Sequence, residues 1–272
     1  RPGPQCQSPL SRLVDIHAHL LPGIDDGPGE LEGSLEMARA AVVSGIETVA
    51  VTPHLRGDFP GVRVEEIADR CEQLRAQLER HQIPLRVVEG AEVSLPWALD
   101  ADEESLRLAT YGQRGTDILI ETPTDASMLE RLLEPLIASG LRITLGHPER
   151  SRTFRTHPDL AERLSAKGVL AQVNGGAFLS GRRGMERHSA EVMAEHGFVQ
   201  VIASDGHRAG PWRPVGALAD GAAAAARVLG QPRAAWMASQ APLAIIEGRP
   251  LPPAPEVERP VAPVRRLFRF AR

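Results

Sequence analysis

The sequence predicts an α/β fold in which a parallel sheet lies among helices. Short runs rich in β-branched residues alternate along its 272 residues with longer segments whose apolar positions recur every three or four residues. Seven such runs with helices between them require parallel pairing, because each helix returns the chain to the same end of the sheet. A chain of this length favours one closed α/β barrel over two separate domains.

The strand-like runs are short, apolar and separated by helical segments or polar loops. In chain order they are Leu13–Ile16, Thr48–Val51, Leu85–Glu89, Ile118–Ile120, Leu141–Leu145, Leu170–Val173 and Val199–Ala203. We therefore expect seven parallel strands.

Three segments between these runs have clear helical spacing. The first, from Leu31 to Val43, ends before Gly45. The second has an apolar stripe at spacings of three and four, formed by Val64, Ile67, Cys71, Leu74 and Leu78. The third stops at Gly140, a residue suited to a helix C-terminal cap, and its apolar residues are Leu129, Leu132, Leu133, Leu136 and Ile137. Cys71 is expected to pack in the core.

The composition excludes several classes of protein. The chain has 31 basic and 35 acidic residues with only one Tyr, three Trp and six Phe, so it lacks the charge and the stacking surfaces of a nucleic-acid-binding protein. No stretch approaches the roughly 18 uninterrupted apolar residues of a membrane helix. Two cysteines, Cys6 and Cys71, cannot build a disulfide framework. We therefore expect a reducing, cytoplasmic location.

The chain divides into three predicted parts: an N-terminal extension over residues 1–12, a main domain over 13–252 and a tail over 253–272. Six of the fifteen residues from Arg249 to Pro263 are proline, which is typical of an extended segment. The chain ends in Val-Arg-Arg-Leu-Phe-Arg-Phe-Ala-Arg, where basic and apolar residues alternate. Such a tail either contacts an anionic membrane surface or a partner protein, or it is a disordered solubilising end.

Histidines and carboxylates follow six of the seven predicted strands. The carboxyl ends of the strands of an α/β barrel converge on one rim, so we expect these side chains to lie together. His17 and His19, two positions apart on an extended strand, face the same side, and so do Asp205 and His207. The full set is five histidines and four acids: His17, His19, Asp26, His54, Glu92, Glu121, His147, Asp205 and His207.

This set predicts a cluster of two or three metal ions, because nine ligands are too many for one tetrahedral ion. Imidazole and carboxylate ligands suit Zn²⁺, Mn²⁺ or Fe, and the lack of cysteine ligands argues against a structural zinc site. Clustered metals activate water and stabilise the attacking and leaving oxygens of a displacement at phosphorus. Arg150, three residues after His147, is suited to bind the phosphate.

Other polar residues near this rim have structural interpretations. Asp15 is expected to be a buried carboxylate that orients the loop or a ligand, and Asp25 to shape a turn. Asn174 either caps a loop or reaches into the site. Cys6 and Arg12 have the spacing of thiol-dependent phosphatases, but the intervening residues contain no glycine and precede the first strand, so a thiol mechanism is not expected.

Seven short motifs occur in a fixed order between Leu13 and Pro252. They are Asp-Ile-His-Ala-His, Ile-Asp-Asp-Gly, Thr-Pro-His, Glu-Gly-Ala-Glu-Val, Leu-Gly-His-Pro-Glu-Arg, Gln-Val-Asn and Ser-Asp-Gly-His. In this order they resemble the polymerase-and-histidinol-phosphatase (PHP) superfamily, and within it the bacterial manganese-dependent tyrosine-protein phosphatases of capsule and exopolysaccharide loci. The resemblance implies a distorted seven-stranded (β/α) barrel, similar to a TIM barrel, with three Mn²⁺ ions; Fe or Zn²⁺ are alternatives.

The resemblance also implies three ligand sets. The first ion would be held by His17, His19, Glu92 and Asp205. Glu92 would bridge to the second ion, whose other ligands would be Glu121 and His147. The third ion would be held by Asp26, His54 and His207. Arg150 matches the phosphate-binding arginine of the family, and a second arginine would be Arg208 or Arg213.

The implied function is hydrolysis of phosphotyrosine on the tail of a membrane-anchored bacterial tyrosine autokinase that controls polysaccharide synthesis. The metals would activate water for attack on phosphorus, and the metals and Arg150 would stabilise the equatorial oxygens. Two alternatives stay open: a small-molecule PHP phosphoesterase similar to histidinol phosphatase, and a catalytically silent PHP module that binds a partner. Asp26 and Glu121 favour the tyrosine phosphatase, because small-molecule PHP phosphatases often have histidines there.

Overall fold

Parallel strands form the centre of the computed structural model, which describes residues 12–181 and 184–257. Within these residues the strands are β1 (Leu13–Ala18), β2 (Ile46–Val51), β3 (His54–Leu55), β4 (Arg86–Val88), β5 (Glu92–Val93), β6 (Asp117–Glu121), β7 (Arg142–Gly146), β8 (Leu170–Asn174) and β9 (Val201–Ala203).

Helices lie between the strands and after the last one. They are α1 (Leu31–Val43), α2 (Ile67–Arg80), α3 (Leu95–Asp100), α4 (Glu103–Ala109), α5 (Leu129–Ala138), α6 (Arg152–Thr156), α7 (Pro158–Ala166), α8 (Gly175–Leu179), α9 (Met185–Glu195), α10 (Ala217–Leu229), α11 (Gln231–Ala235) and α12 (Ala241–Ile246). Three short 3₁₀ turns, Val64–Glu66, Tyr111–Gln113 and Pro148–Arg150, and a π-helical turn, Trp236–Gln240, connect them.

In the described residues the strands form two sheets, and within each sheet every pair of neighbouring strands is parallel. One sheet has the order β1-β2-β4, and the other has the order β3-β5-β6-β7-β8-β9. The residues after β1 and β9 also bond to each other, since His19 N–H donates to Gly206 O at 2.8 Å and Asp205 N–H donates to His17 O at 2.9 Å. The predicted α/β class with parallel pairing is therefore confirmed.

All seven predicted strands are present, and two further strands were not predicted. The additional strands, β3 and β5, have two residues each, and they pair with each other through His54 and Glu92. Runs this short carry no periodicity that a sequence pattern can detect. They matter for the site because they place two predicted ligands on neighbouring strands rather than in loops.

The helical stripes pack against the sheets as predicted. Ile67, Cys71, Leu74 and Leu78 are buried along α2, although the chain around Val64 forms a 3₁₀ turn before this helix begins. Burial raises the pKa of the Cys71 thiol to about 12. On α5 the stripe is narrower than predicted, because Leu132 is 37% exposed.

Some predictions concern segments at the two ends of the chain. Cys6 and most of the predicted extension, together with residues 258–272 of the predicted tail, lie outside the described residues. The start of the tail contacts the main domain, since Val257 packs against the core and Arg233 donates to Pro255 O at 3.2 Å. None of the helices in the described ranges has the length and apolar character needed to cross a bilayer.

Candidate metal centre

The nine predicted ligands lie together at the carboxyl ends of the strands. Four of them lie on strands: His17 on β1, His54 on β3, Glu92 on β5 and Glu121 on β6. His19 follows directly after β1. The others lie in the loops after β1, β7 and β9. Their ligand atoms form four overlapping groups, and the atoms of each group lie within 4.8 Å of one another. The groups are His19, Asp26, His54 and His207; His17, His19 and Asp205; His17, Glu92 and His147; and His54, Glu92 and Glu121.

Glu92 is the centre of this arrangement. Its Oε2 lies 3.3 Å from His17 Nε2, 3.4 Å from His19 Nε2 and 3.0 Å from His54 Nδ1. Its Oε1 lies 2.7 Å from His147 Nε2. One carboxylate therefore faces four imidazoles.

The groups overlap with the ligand sets implied by the resemblance but do not reproduce them: Glu92 is not grouped with His19 and Asp205, and His19 joins Asp26, His54 and His207. Glu121 also differs. That carboxylate groups with His54 and Glu92 rather than with His147. Arg56 Nη1 also donates to both of its oxygens, at 3.0 and 3.1 Å. Glu121 is thus already paired with a cation of the protein, as Asp205 is with Arg150 and Arg213.

The buried polar atoms of the cluster fit a metal ion. His17 Nε2, His19 Nε2, His207 Nε2 and Glu92 Oε2 are buried and make no hydrogen bond of acceptable geometry. Leaving such atoms unpaired costs about 1–3 kcal/mol each, so a protein retains them where they have a use. Neutral imidazole and carboxylate donors are the ligands that Mn²⁺, Fe and Zn²⁺ accept.

Charge pairing controls the ionisation of the cluster. Burial lowers the pKa of His17, but the charges of Glu92 and Asp205 outweigh it and raise this pKa to about 9. Burial opposes ionisation of Glu92 as well, yet the charge of His17 and the hydrogen bond from His147 hold its pKa well below its usual range. The carboxylate therefore stays ionised at neutral pH, as a ligand for a cation must.

Hydrogen bonds behind the ligands hold the imidazoles in position. Asp25 Oδ2 lies 2.7 Å from His19 Nδ1, and Asp25 Oδ1 accepts the Gly27 N–H at 2.9 Å. Asp25 thus shapes the turn, as predicted, and also orients a ligand, which was not predicted. A Cβ at Gly27 would lie 2.5 Å from His19 O, so only glycine fits this turn.

A relay of amide side chains on β8 orients two further ligands. Gln172 Oε1 lies 2.9 Å from His17 Nδ1, and Gln172 Nε2 donates to Asn174 Oδ1 at 2.8 Å. Asn174 Nδ2 then donates to Asp205 Oδ2 at 2.7 Å, so this residue does reach into the site. Gln172 belongs to the Gln-Val-Asn motif, but no role was assigned to it from the sequence; an amide within an otherwise apolar strand-like run is the signal that could have identified it.

Two acids near the ligands have structural positions. Asp15 Oδ1 accepts the N–H groups of His17 and Ser204 at 3.3 and 3.0 Å, which ties β1 to the loop after β9 as predicted. Glu149 is fully buried, and burial raises its pKa to about 7. Its Oε1 accepts the Asn174 N–H at 3.0 Å, whereas its neighbour Arg150 pairs with Asp205.

Three arginines occupy different positions at the edge of the cluster. Arg150 Nη1 lies 3.0 Å from Asp205 Oδ2, and Arg213 Nη2 donates to Asp205 Oδ1. Arg208 instead donates to backbone carbonyls, to Asp26 O at 3.0 Å and to His207 O at 2.8 Å. Arg208 therefore holds two loops together, while Arg150 and Arg213 face the same candidate ligand.

Sequence comparison relates the chain to proteins of polysaccharide synthesis. Residues 13–247 match the family described as capsular polysaccharide synthesis, CpsB/CapC. The tyrosine-protein phosphatase YwqE of Bacillus subtilis is 33% identical over 198 residues, which cover 72% of this chain and 77% of that protein. The tyrosine-protein phosphatase CpsB of Streptococcus pneumoniae is 25% identical over 203 residues, 72% of this chain and 83% of that protein.

Structure comparison gives the same relationship over more of the chain. A crystal structure from the work on YwqE and CpsB, described there as unique metal-dependent tyrosine phosphatases, superposes with a TM-score of 0.77 at 26% identity. The match covers 91% of this chain and 100% of that one. Molinate hydrolase, at 13% identity and a TM-score of 0.57, is similar in fold alone.

Proposed function

Since the chain belongs to the capsular polysaccharide synthesis family CpsB/CapC, we propose that it is a metal-dependent protein-tyrosine phosphatase. The observation that carries this proposal is the Glu92 carboxylate, which lies within 3.4 Å of four imidazoles beside an arginine-rich rim. A cluster of this kind suits hydrolysis of a phosphate ester, and the rim supplies positive charge for the phosphate.

We assign the metal-binding role to the nine clustered side chains, with Mn²⁺ as the proposed ion and Fe or Zn²⁺ as alternatives. When bound, such ions act as Lewis acids that activate water and stabilise charge on the phosphoryl oxygens. Glu92 would bridge two ions, and Asp25 and Gln172 would fix the orientation of the histidines. Three ions, the number that the resemblance implies, would share the overlapping groups of ligand atoms that contain His17, His19 and His54.

Arg150 and Arg213 would bind the phosphate of the substrate. Both guanidinium groups lie on Asp205 at the edge of the cluster, where a tetrahedral anion can share them. A charge-assisted hydrogen bond of this kind contributes about 1.5–3 kcal/mol. Because Arg208 donates to backbone carbonyls, we assign the second phosphate contact to Arg213 rather than to Arg208.

The proposed substrate is phosphotyrosine on the tail of a bacterial tyrosine autokinase of polysaccharide assembly. A histidinol phosphatase would need a spare carboxylate for a cationic substrate. Glu149 lies near the site and has no predicted ligand role. It is fully buried and accepts a hydrogen bond from the Asn174 backbone, so it does not offer such a carboxylate. The positive rim instead suits the anionic phosphate of an aryl ester on a peptide, whose leaving group carries no amine or imidazole.

The proposed architecture is the distorted seven-stranded barrel that the resemblance implies. The hydrogen bonds between the ends of β1 and β9 support it, as does the Glu92 N–H donated to Pro53 O at 3.1 Å beside β3. The division into residues 1–12, 13–252 and 253–272 and the cytoplasmic location stay predictions.

The decisive experiment compares three substrates in the presence of Mn²⁺: a phosphotyrosine peptide, a phosphoserine peptide of the same sequence, and histidinol phosphate. We expect efficient turnover of the first, weak turnover of the second and little of the third. Chelation should abolish the activity and Mn²⁺ should restore it, with Cys6→Ser unchanged. A higher kcat/KM for histidinol phosphate would favour the small-molecule enzyme, and no turnover at all would favour the silent binding module.

A further inference from the structure

An exposed tryptophan stands beside the candidate metal centre. The Trp212 side chain, in the loop after β9, is 57% exposed, although tryptophan is a costly residue to leave in water. Its indole meets the His207 imidazole edge to face, with ring centroids 5.9 Å apart. A large apolar surface is thus presented to solvent next to a candidate ligand.

The loop that carries Trp212 holds the indole in place. Val215 N–H donates to Arg208 O at 3.2 Å, and His207 N–H donates to Arg213 O at 2.8 Å, so the loop is closed at its base. The guanidinium carbons of Arg208 and Arg213 lie 5.7 and 5.6 Å from the indole centroid, within cation–π range. The indole is therefore flanked by two guanidinium groups on a loop that is closed by backbone hydrogen bonds.

A second aromatic residue lies beside the neighbouring ligand. Phe59 stacks on His54, with centroids 4.9 Å apart and planes 12° apart. The Phe59 N–H donates to Arg56 O at 3.0 Å, and this turn fixes the position of Phe59. The Phe59 side chain is half-buried. Since the rings of His54 and His207 lie 6.4 Å apart, Phe59 and Trp212 flank one pair of ligands.

The chemistry of the substrate gives these two rings a use. In phosphotyrosine a single ester oxygen joins phosphorus to the phenol ring, so a phosphate held at the cluster places that ring within about one ring width of it. Aromatic rings attract each other in edge-to-face or offset geometries. Phosphoserine has only a methylene group at the same position and cannot make these contacts.

We propose that Trp212, together with Phe59, binds the phenol ring of the substrate and thereby selects aryl over alkyl phosphate esters. This inference rests on the proposed phosphatase function and adds the residues that determine its specificity. Trp212 contributes the exposed surface, and Phe59 closes the side of the site next to His54.

The test measures a ratio: kcat/KM for a phosphotyrosine peptide divided by kcat/KM for a phosphoserine peptide of the same sequence. Trp212→Leu should lower this ratio about two- to tenfold, the size of one aromatic contact, and Phe59→Leu should lower it in the same direction. Trp212→Phe should restore most of the ratio. Val43→Ala is the control, because Val43 is 88% exposed at the end of α1, which leads to the opposite end of β2.

A binding measurement separates recognition from chemistry. Calorimetric titration with phenylphosphonate and methylphosphonate, neither of which can be hydrolysed, should show that Trp212→Leu weakens only the phenyl compound. Equal losses for both compounds, or for both peptides, would overturn the inference, because they would mean that Trp212 acts only by positioning Arg213. An unchanged ratio would overturn it as well. Failure of the proposed function is a distinct result: the unmodified protein would not hydrolyse the phosphotyrosine peptide.

Discussion

Changing Asp25 to Asn should weaken metal binding by changing which nitrogen of His19 carries the proton. The carboxylate opposite His19 Nδ1 keeps the proton on that nitrogen and leaves Nε2 free to bind a metal. In Asp25→Asn the amide oxygen can still accept the Gly27 N–H, but the amide N–H group then faces His19 Nδ1 and the His54 N–H that Asp25 Oδ2 accepts at 3.3 Å. The neutral imidazole must then carry its proton on Nε2, the atom that would contact the ion.

The size of the effect follows from the burial of the pair. The side chains of His19 and Asp25 are 0% and 1% exposed, so water cannot replace the lost partner. Losing a hydrogen-bond partner of a metal ligand costs about ten- to a hundredfold in affinity, or roughly 1.4–2.7 kcal/mol. Burial places the expected change towards the upper end of this range.

The assay determines bound Mn²⁺ and phosphatase activity across free Mn²⁺ concentrations set by a chelator buffer. The matched control is Asp15→Asn, because Asp15 accepts only backbone N–H groups through Oδ1 and its Oδ2 has no hydrogen bond. Burial already raises the pKa of Asp15 to about 6, so an uncharged amide suits this position. A Mn²⁺ midpoint for Asp25→Asn equal to that of the unmodified protein would refute the reasoning.

Two further predictions concern phosphate binding and the thiol. Arg150→Ala should lower kcat/KM for phosphotyrosine peptides by about ten- to a hundredfold, because one charge-assisted contact is lost; bound Mn²⁺, measured in parallel, should not change, and a matching loss of metal would contradict a phosphate role. Burial raises the pKa of Cys71 from 9.0 to about 12, so at pH 8 its thiolate fraction is about a thousandfold smaller than that of an ordinary cysteine. Iodoacetamide should therefore label Cys71, as followed by mass spectrometry, only after unfolding, and labelling of the folded protein at the rate of a free thiol would contradict this.

The clustering of the candidate ligands could be predicted from the sequence because strand geometry constrains their positions. His17 and His19 lie two positions apart at the end of an apolar run, and parallel strands bring such ends to one edge. Those two facts hold whatever the details of packing. The same logic located His54 and Glu92 without any knowledge of the two short strands that carry them.

The supporting residues were harder to predict because their partners are distant in the chain. Gln172 bonds to His17 across 155 positions, and Asn174 bonds to Asp205 across 31. No local pattern encodes such a pair. Trp212 was also missed, because a lone aromatic residue in a loop has no periodicity, and only its contacts with His207 and two arginines reveal its surroundings.

Backbone strain marks the places where the site overrides local preference. His147, Asp205 and Arg213 have φ values of 40°, 51° and 48°, in the left-handed region that side-chain-bearing residues rarely adopt. Each such residue costs of order 1–3 kcal/mol unless its surroundings impose the conformation. Glycine would relieve the strain at each position, but it would remove an imidazole, a carboxylate or a guanidinium that meets the others at the cluster. The parallel strands and the hydrogen bonds across the ends of β1 and β9 supply the rigidity that holds these three side chains in place. At these three positions the residue type is therefore dictated by chemistry, whereas the other non-glycine residues with positive φ in the described chain, Arg12, Gln82 and Gln113, lie away from the cluster.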